Sequence, residues 1–339
     1  MPVIGVLTAG GDCPGLNAVI RGVVAAATKE PDTEVLGILN GWEGLMDGST
    51  RPLDRDDVRG ILGRGGTILG TSRRDPYVHG DGFTSVERTL RQNDIDALVV
   101  IGGDGTLLTA LQLSREGVPI VGVPKTIDND IASTDFTFGF DTAVQIASDA
   151  IDRLTTTAEA HNRVILVEVM GRTKGWIATY AGMSSGADAI LIPEHEMELE
   201  DVAKVIRRRH RQGHSYSIVV VAEGVTPPEE VDLPTDQFGF ERLGGVAYQI
   251  APVIEELTGY ETRVTVLGHL QRGGTPTAFD RVLASRLGVA AGRLAARGET
   301  GVMVALRGAE IVPVDLTDAC AEIRGVDADL FETARLFFG

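Results

Sequence analysis

A chain of 339 residues with 43% hydrophobic side chains can bury a large core, and the length suits two lobes better than one. A formal charge of −17 disfavours nucleic acid and anionic membrane as partners. No apolar run approaches the ~20 residues of a membrane span, so a soluble, cytoplasmic protein is expected.

The chain opens MPVIGVLTAGG, without the basic segment that begins a secretory signal, and residues 2–8 read as a strand. Residues 9–17, AGGDCPGLN, form a glycine loop that leads into a helix through Lys29. Strand, glycine loop and helix make a phosphate cradle, although the loop has neither GxxxxGK[ST] nor a clean GxGxxG. Cys13 and Cys320 give no disulfide framework, and the six histidines make no HExxH, so no structural metal is expected. Residues 35–39 read as a second strand and residues 53–62 as an acidic helix start. The stretch GRGGTILGTSRR, residues 63–74, then sets Arg73 and Arg74 after a glycine-rich segment. Because the whole molecule is acidic and screening acts over roughly 8–10 Å, a phosphate site must be marked by local cations such as these. A solvated turn is the competing reading.

Residues 97–101 form an apolar strand ending at Gly102 and Gly103, and residues 106–115 read as the helix that follows. Gly102, Gly103 and Gly105 are expected to leave the backbone free for positive φ and for the approach of a phosphate. Asp104 would repel that phosphate unless a cation intervened, which makes Mg²⁺ its natural partner. A second apolar run, residues 118–123, ends in Pro124, Lys125, Thr126, Ile127, Asp128, Asn129 and Asp130, a turn with one hydroxyl, one ammonium and two acids.

Residues 141–154 show helical amphipathicity. The strand at residues 163–169 ends in Met170, Gly171 and Arg172, before a helix over residues 174–183. Residues 189–192, a helix at 199–212 and a strand at 217–222 continue the alternation, and the last delivers Glu223 to the same kind of position as Asp104 and Asp128. Residues 225–241 read as a long surface loop. A helix at 244–257 and a strand at 263–267 follow, then the turn GHLQRGGT at 268–275 and a long helix over 277–297. His269 beside Gln271 and Arg272 suits a phosphate, with a locally satisfied turn histidine as the alternative. Arg163 and Arg263 open strands rather than close them, so they should lie away from their own chain's site.

The alternation predicts α/β architecture: two lobes, each a mostly parallel sheet covered by helices on both faces, with the active site in the cleft between them. The split is placed near Gly139.

The motifs GGDCPGLNAVIRG, RGGTILGTSR, IGGDGT, PKTIDNDI, TFGFDTA, EVMGR, AEG and VLGHLQRGGTPTAFDR, in this order, resemble the 6-phosphofructokinases, most of all those of actinobacteria. GGDGT is shared with NAD and lipid kinases, whereas TIDND, MGR and GHLQRGG together are not. The resemblance implies transfer of the γ-phosphoryl of ATP to the 1-hydroxyl of fructose 6-phosphate in a homotetramer with shared sites. It implies a nucleotide and Mg²⁺ lobe of residues 1–139 with 271–320, and a fructose 6-phosphate lobe of residues 140–270 with 321–339. By the same resemblance Asp128 is the general base with Asp130 in support, Asp104 holds Mg²⁺, and Thr126, Arg73 and Arg172 handle the γ-phosphoryl. Gly11, Arg74, Gly103, Gly105 and Thr106 belong to the nucleotide loops. Met170, Gly171 and Glu223 line the sugar, His269 and Arg272 reach the 6-phosphate, and Arg163 and Arg263 serve the neighbouring subunit's substrate. Two departures stand out. Of the family's basic effector residues Arg21 and Arg55 remain, while Ala25, Thr155 and His214 occupy positions where cations are expected. The donor signature is mixed: Gly105 is the ATP-type residue and Lys125 the pyrophosphate-type one, so pyrophosphate is the alternative donor.

Overall fold

The computed structural model describes residues 2–30, 33–78, 81–195, 197–228 and 243–339. The chain divides into two compact units, Met1–Thr142 with Arg272–Ile323, and Ala143–Gln271 with Arg324–Gly339. Among the described residues no helix is long and apolar enough to cross a membrane.

The first unit contains β1 (Val3–Thr8), α1 (Leu16–Ala27), β2 (Glu34–Ile38), α2 (Gly41–Asp47), β3 (Thr50–Pro52), α3 (Gly82–Gln92), β4 (Ala97–Gly102), α4 (Asp104–Arg115), β5 (Ile120–Thr126), β6 (Phe138–Gly139) and the first residues of α5 (Phe140–His161). The second unit takes over within α5 and adds β7 (Val164–Val169), α6 (Trp176–Ser184), β8 (Ala189–Leu191), α7 (Leu199–Arg211), β9 (Ser217–Ala222), α8 (Val246–Thr258) and β10 (Thr262–Val266), followed by a 3₁₀ helix, Gly268–Arg272. The chain then returns to the first unit for α9 (Ala278–Ala296), β11 (Val302–Arg307), β12 (Glu310–Asp315) and α10 (Leu316–Ala319), and ends in the second with α11 (Ala328–Arg335).

Among the described residues the first unit holds an eight-stranded sheet in the order β12-β11-β5-β4-β1-β2-β3, with β6 beside β5. Its interior pairs are parallel and only the edge pairs β11/β12 and β2/β3 are antiparallel. The second unit holds a four-stranded parallel sheet, β10-β7-β9-β8. Strands β1, β4, β5, β7 and β9 are buried along their whole length, which is why they read as unbroken apolar runs rather than alternating ones.

Several local expectations are corrected. Residues 53–62 form turns: the Asp54 carboxylate takes the Asp56 and Asp57 amides at 2.7 and 2.9 Å, and Gly60 at φ 76° turns the chain away before a helix can propagate. Strand β5 runs on to Thr126, so Lys125 and Thr126 finish a strand rather than begin a turn. Helix α4 starts at Asp104, two residues early, and the GHLQR turn is a 3₁₀ helix. Gly102, Gly103 and Gly105 do not adopt positive φ. At Gly102 the requirement is room, since an added Cβ would stand 2.2 Å from Thr106 Cγ2. The loop expected over 225–241 falls, from residue 229 onward, outside the described residues.

Candidate active site

In the first unit β1, β4 and β5 are adjacent and parallel, so the three segments that follow them emerge at one sheet edge, where α/β proteins bind ligands. After β1 the Ala9 amide extends the ladder to Ile101 O at 3.0 Å, and the Gly10 amide crosses to Ser72 O at 3.0 Å. Thr71 Oγ1 donates to Gly10 O at 2.6 Å. Buried Asn17 donates to Arg64 O at 2.9 Å and accepts from the Ile68 amide at 2.9 Å. The glycine loop and the GRGGTILGTSRR segment are thus one stitched structure. Arg73 is exposed on it, whereas Arg74 lies 3.8 Å from both Glu43 and Asp47 on α2 and is directed toward those carboxylates.

At the end of β5 the Lys125 ammonium is buried and donates to Gly11 O at 2.5 Å. Arg272 donates to Asp12 O at 3.3 Å, and a Cβ on Gly11 would come within 2.5 Å of its guanidinium, so a side chain there would push the arginine aside. A Cβ on Gly10 would meet Thr106 Oγ1 at 3.2 Å and Lys125 Nζ at 3.5 Å. Gly11, Thr106, Lys125 and Arg272, far apart in sequence, therefore face one small volume at the start of α4. Burial pushes the Lys125 pKa down and Arg272 adds to the shift, while Asp128 and Asp12 act to hold the proton on. The turn after β5 is equally fixed. The Asp128 amide donates to Thr126 Oγ1 at 3.0 Å, and Asn129 at φ 51° accepts the Thr137 amide at 3.0 Å. Thr137 Oγ1 donates to Thr126 O at 2.8 Å.

Half-buried Asp104 opens α4, where the helix dipole favours a carboxylate. Among the described residues no three metal-ligating side chains gather. One carboxylate fits Mg²⁺, an ion that keeps several waters and is held through substrate phosphates, and would not fit a cation needing an all-protein cage.

In the second unit the adjacent strands β10, β7 and β9 likewise end at one edge. Glu223 Oε1 accepts the Arg172 amide at 2.9 Å and the Gly171 amide at 3.3 Å, bracing a turn in which Gly171 has φ 145° and Arg172 φ 54°. Met170, which precedes the turn, is buried and Arg172 is exposed. His269 is exposed on the 3₁₀ helix at the end of β10, braced by Gln271 Nε2 to Gly268 O at 3.1 Å. Arg163 and Arg263 are at the opposite edge of this sheet. Arg163 Nε donates to Glu261 Oε2 at 2.8 Å and Arg263 pairs with the other oxygen of the same carboxylate. The hydrogen bond from Arg163 is the main reason the Glu261 pKa lies below its usual range.

Sequence reading assigned no part to Asn17, Thr137, Glu168 or Asp280. Buried Glu168, within β7, accepts the Gly245 and Ala247 amides at 2.7 and 2.9 Å and caps α8. Buried Asp280 accepts the amides of Gly139 and Thr142 at 2.9 and 2.8 Å. An acid embedded in an apolar context was the available signal, as in ILVEVM and TAFDRVL.

Residues 3–295 match the phosphofructokinase family. The chain is 52% identical over 340 residues, 99% of both chains, to a protein of Amycolatopsis methanolica named pyrophosphate–fructose 6-phosphate 1-phosphotransferase. It is 50% identical over 341 residues, again 99% of both, to a protein of Corynebacterium efficiens named ATP-dependent 6-phosphofructokinase. The solved phosphofructokinase of Saccharomyces cerevisiae superposes with a TM-score of 0.83 at 34% identity, over 95% of this chain and 45% of the yeast chain.

Proposed function

The chain belongs to the phosphofructokinase family, and from that premise we propose that it transfers the γ-phosphoryl group of ATP to the 1-hydroxyl of fructose 6-phosphate, giving fructose 1,6-bisphosphate and ADP. The observation that carries this reading is the meeting of Gly11, Thr106, Lys125 and Arg272 at the edge that also presents Asp104 and Asp128. Phosphoryl transfer needs little covalent chemistry from a protein. It needs positioned cations and amides, a site for the metal and a base.

Asp128 takes the proton of the 1-hydroxyl as its oxygen attacks phosphorus, with Asp130 supporting it in the same buried turn. Thr126, Arg73 and Arg172 stabilise the charge on the transferring group, and the loops at Gly11 and at Gly103 to Thr106 hold the nucleotide phosphates. Asp104 would hold Mg²⁺, which, when bound, neutralises charge on the phosphates. Met170, Gly171, Arg172 and Glu223 bind the sugar, with Glu223 also fixing the turn, and His269 and Arg272 bind the 6-phosphate, Arg272 leaving Asp12 O to do so. Arg74, directed toward Glu43 and Asp47, steadies the loop that carries Arg73. Arg163 and Arg263 lie a full strand length, roughly 16–20 Å, from the sugar edge of their own sheet, which supports their serving a neighbour's substrate in a homotetramer.

ATP is favoured as donor because the space beside Gly105 is open and Lys125 is drawn onto the Gly11 carbonyl. Pyrophosphate is the second reading, favoured by the presence of Lys125 and by the names of some relatives about half identical to this chain. The test is kcat/KM for Mg-ATP against Mg-pyrophosphate on the purified protein; equal or better use of pyrophosphate overturns the donor assignment, and no turnover of fructose 6-phosphate with either overturns the reading itself.

A further inference from the structure

Between the catalytic-type turn and the rest of the first unit lies a short segment, residues 137–142, that is hydrogen-bonded on both sides. On one side it meets β5: Lys125 pairs with Phe138 and Thr126 with Gly139 in a parallel ladder, while Thr137 bonds Thr126 O and Asn129 Oδ1. On the other side it meets one carboxylate. Asp280 Oδ1 takes the Gly139 amide at 2.9 Å, and Oδ2 takes the Thr142 amide at 2.8 Å and the Thr142 hydroxyl at 2.5 Å. Gly139 sits at φ 98°, and a Cβ there would stand 2.6 Å from Cys13 Sγ, so the segment has no lateral room.

Asp280 itself is rigidly mounted. It lies in the first turn of α9, where Thr277 caps the helix by accepting the Asp280 amide at 3.2 Å, and Thr277 is tied to Thr142 Oγ1 and Asp141 in turn. Helix α9 is seated on α1 at backbone contact distance, with an added Cβ on Gly288 only 2.3 Å from Val19 O. Burying a carboxylate is costly, and a buried acid with three donors aimed at it persists where it fixes geometry that apolar packing would leave loose. The loop after β1 faces it through Cys13 and α5 through Asp141; burial raises the Asp280 pKa to about 6, so the ionised form is the acceptor at neutral pH.

We infer that Asp280 is a positioning residue for phosphoryl transfer: through Gly139 and β6 it locks the end of β5, and with it Thr126 and Asp128, in reactive register. The inference rests on the kinase reading for its kinetic part and on geometry alone for its structural part.

Asp280→Asn keeps the shape but must turn its amide nitrogen toward one of the two backbone N–H groups, creating a donor facing a donor. The comparison is with Thr142→Val, which removes only the hydroxyl, and with Val86→Ala, a buried substitution on α3 that lowers stability without touching this network. Where a reacting group is displaced by a fraction of an ångström to an ångström, rate losses reach about 10²-fold. Asp280→Asn is therefore expected to lower kcat by about ten- to a hundredfold with KM for both substrates within about threefold, and Thr142→Val to act in the same direction to a smaller extent. Hydrogen exchange at residues 125–130 should quicken in both variants and not in Val86→Ala. Three results would each overturn the positioning role: unchanged exchange at 125–130, a kcat loss matched by Val86→Ala at equal Tm, or a KM increase with kcat intact. Should Asp280→Asn not fold, Thr142→Val carries the same readouts. Wild-type protein inactive with either donor removes the kinase reading, while the exchange experiment still decides whether Asp280 holds the turn.

Discussion

Gly105→Asp separates the two donor readings. Gly105 is the second residue of α4, is exposed, and lacks positive φ; a Cβ built on it meets no heavy atom within 4 Å. The folded protein therefore has room for the carboxylate. Replacing a helical glycine and adding negative charge at a helix N-terminus together favour the variant by about 0.5–1.5 kcal/mol, offset in part by repulsion from Asp104. Tm should hold or rise slightly. The penalty should fall on the donor. Two like charges ~4 Å apart cost about 4 kcal/mol at an effective dielectric near 20, and screening at this exposed position brings that to about 2–4 kcal/mol, or roughly 30- to 1000-fold. A coupled assay of fructose 1,6-bisphosphate formation should show kcat/KM for Mg-ATP lower by that factor while the variant melts like wild type. Gain of pyrophosphate activity is not required, since it also needs Lys125 to leave Gly11 O for the new donor. ATP activity within threefold of wild type, with Tm unchanged, would refute the placement of Gly105 beside the donor phosphates.

Asp128→Asn should lower kcat by about 10²- to 10⁴-fold while fructose 6-phosphate still binds, measured by steady-state kinetics alongside calorimetry, and near-normal kcat would remove Asp128 as the base. Arg163→Ala and Arg263→Ala should each raise KM for fructose 6-phosphate by deleting a charge-assisted phosphate contact. Mixing Arg163→Ala subunits with Asp128→Asn subunits should restore activity in verified hybrids, and no recovery there would argue against shared sites. For Asp280 the sign follows from a folded pKa near 6 against an ordinary 3.8: stability from this group is full below the unfolded value and is lost as pH rises through 6. A carboxamide in its place cannot titrate, so the stability advantage of wild type over Asp280→Asn should shrink by about 1 kcal/mol between pH 5 and pH 7.5 in urea melts, and a constant difference would contradict the buried-carboxylate assignment.

The alternation of apolar runs and amphipathic stretches was enough to determine the α/β class, because strands such as β4 and β9 are buried throughout and leave no period of two to misread. The sequence also showed which polar segments follow strands, although β5 runs on to Thr126, and strand polarity alone separated Glu223 and Arg172 from Arg163 and Arg263. Local periodicity failed where backbone chemistry won: at 53–62 a helical run of acids is diverted by Asp54 and stopped at Gly60, and at Gly102 the chain needs space rather than an unusual dihedral. What tertiary structure decided is which distant groups share a volume. Lys125 finds Gly11 O across 114 residues, Arg272 reaches Asp12 O across 260, and Asp280 meets Gly139 across 141. Such contacts are set by strand order and helix packing, which place segments side by side irrespective of sequence distance, so no local pattern can report them. The same holds for Arg73 and Arg74, adjacent in sequence: one stays exposed on the glycine segment, and the fold of α2 turns the other toward Glu43 and Asp47.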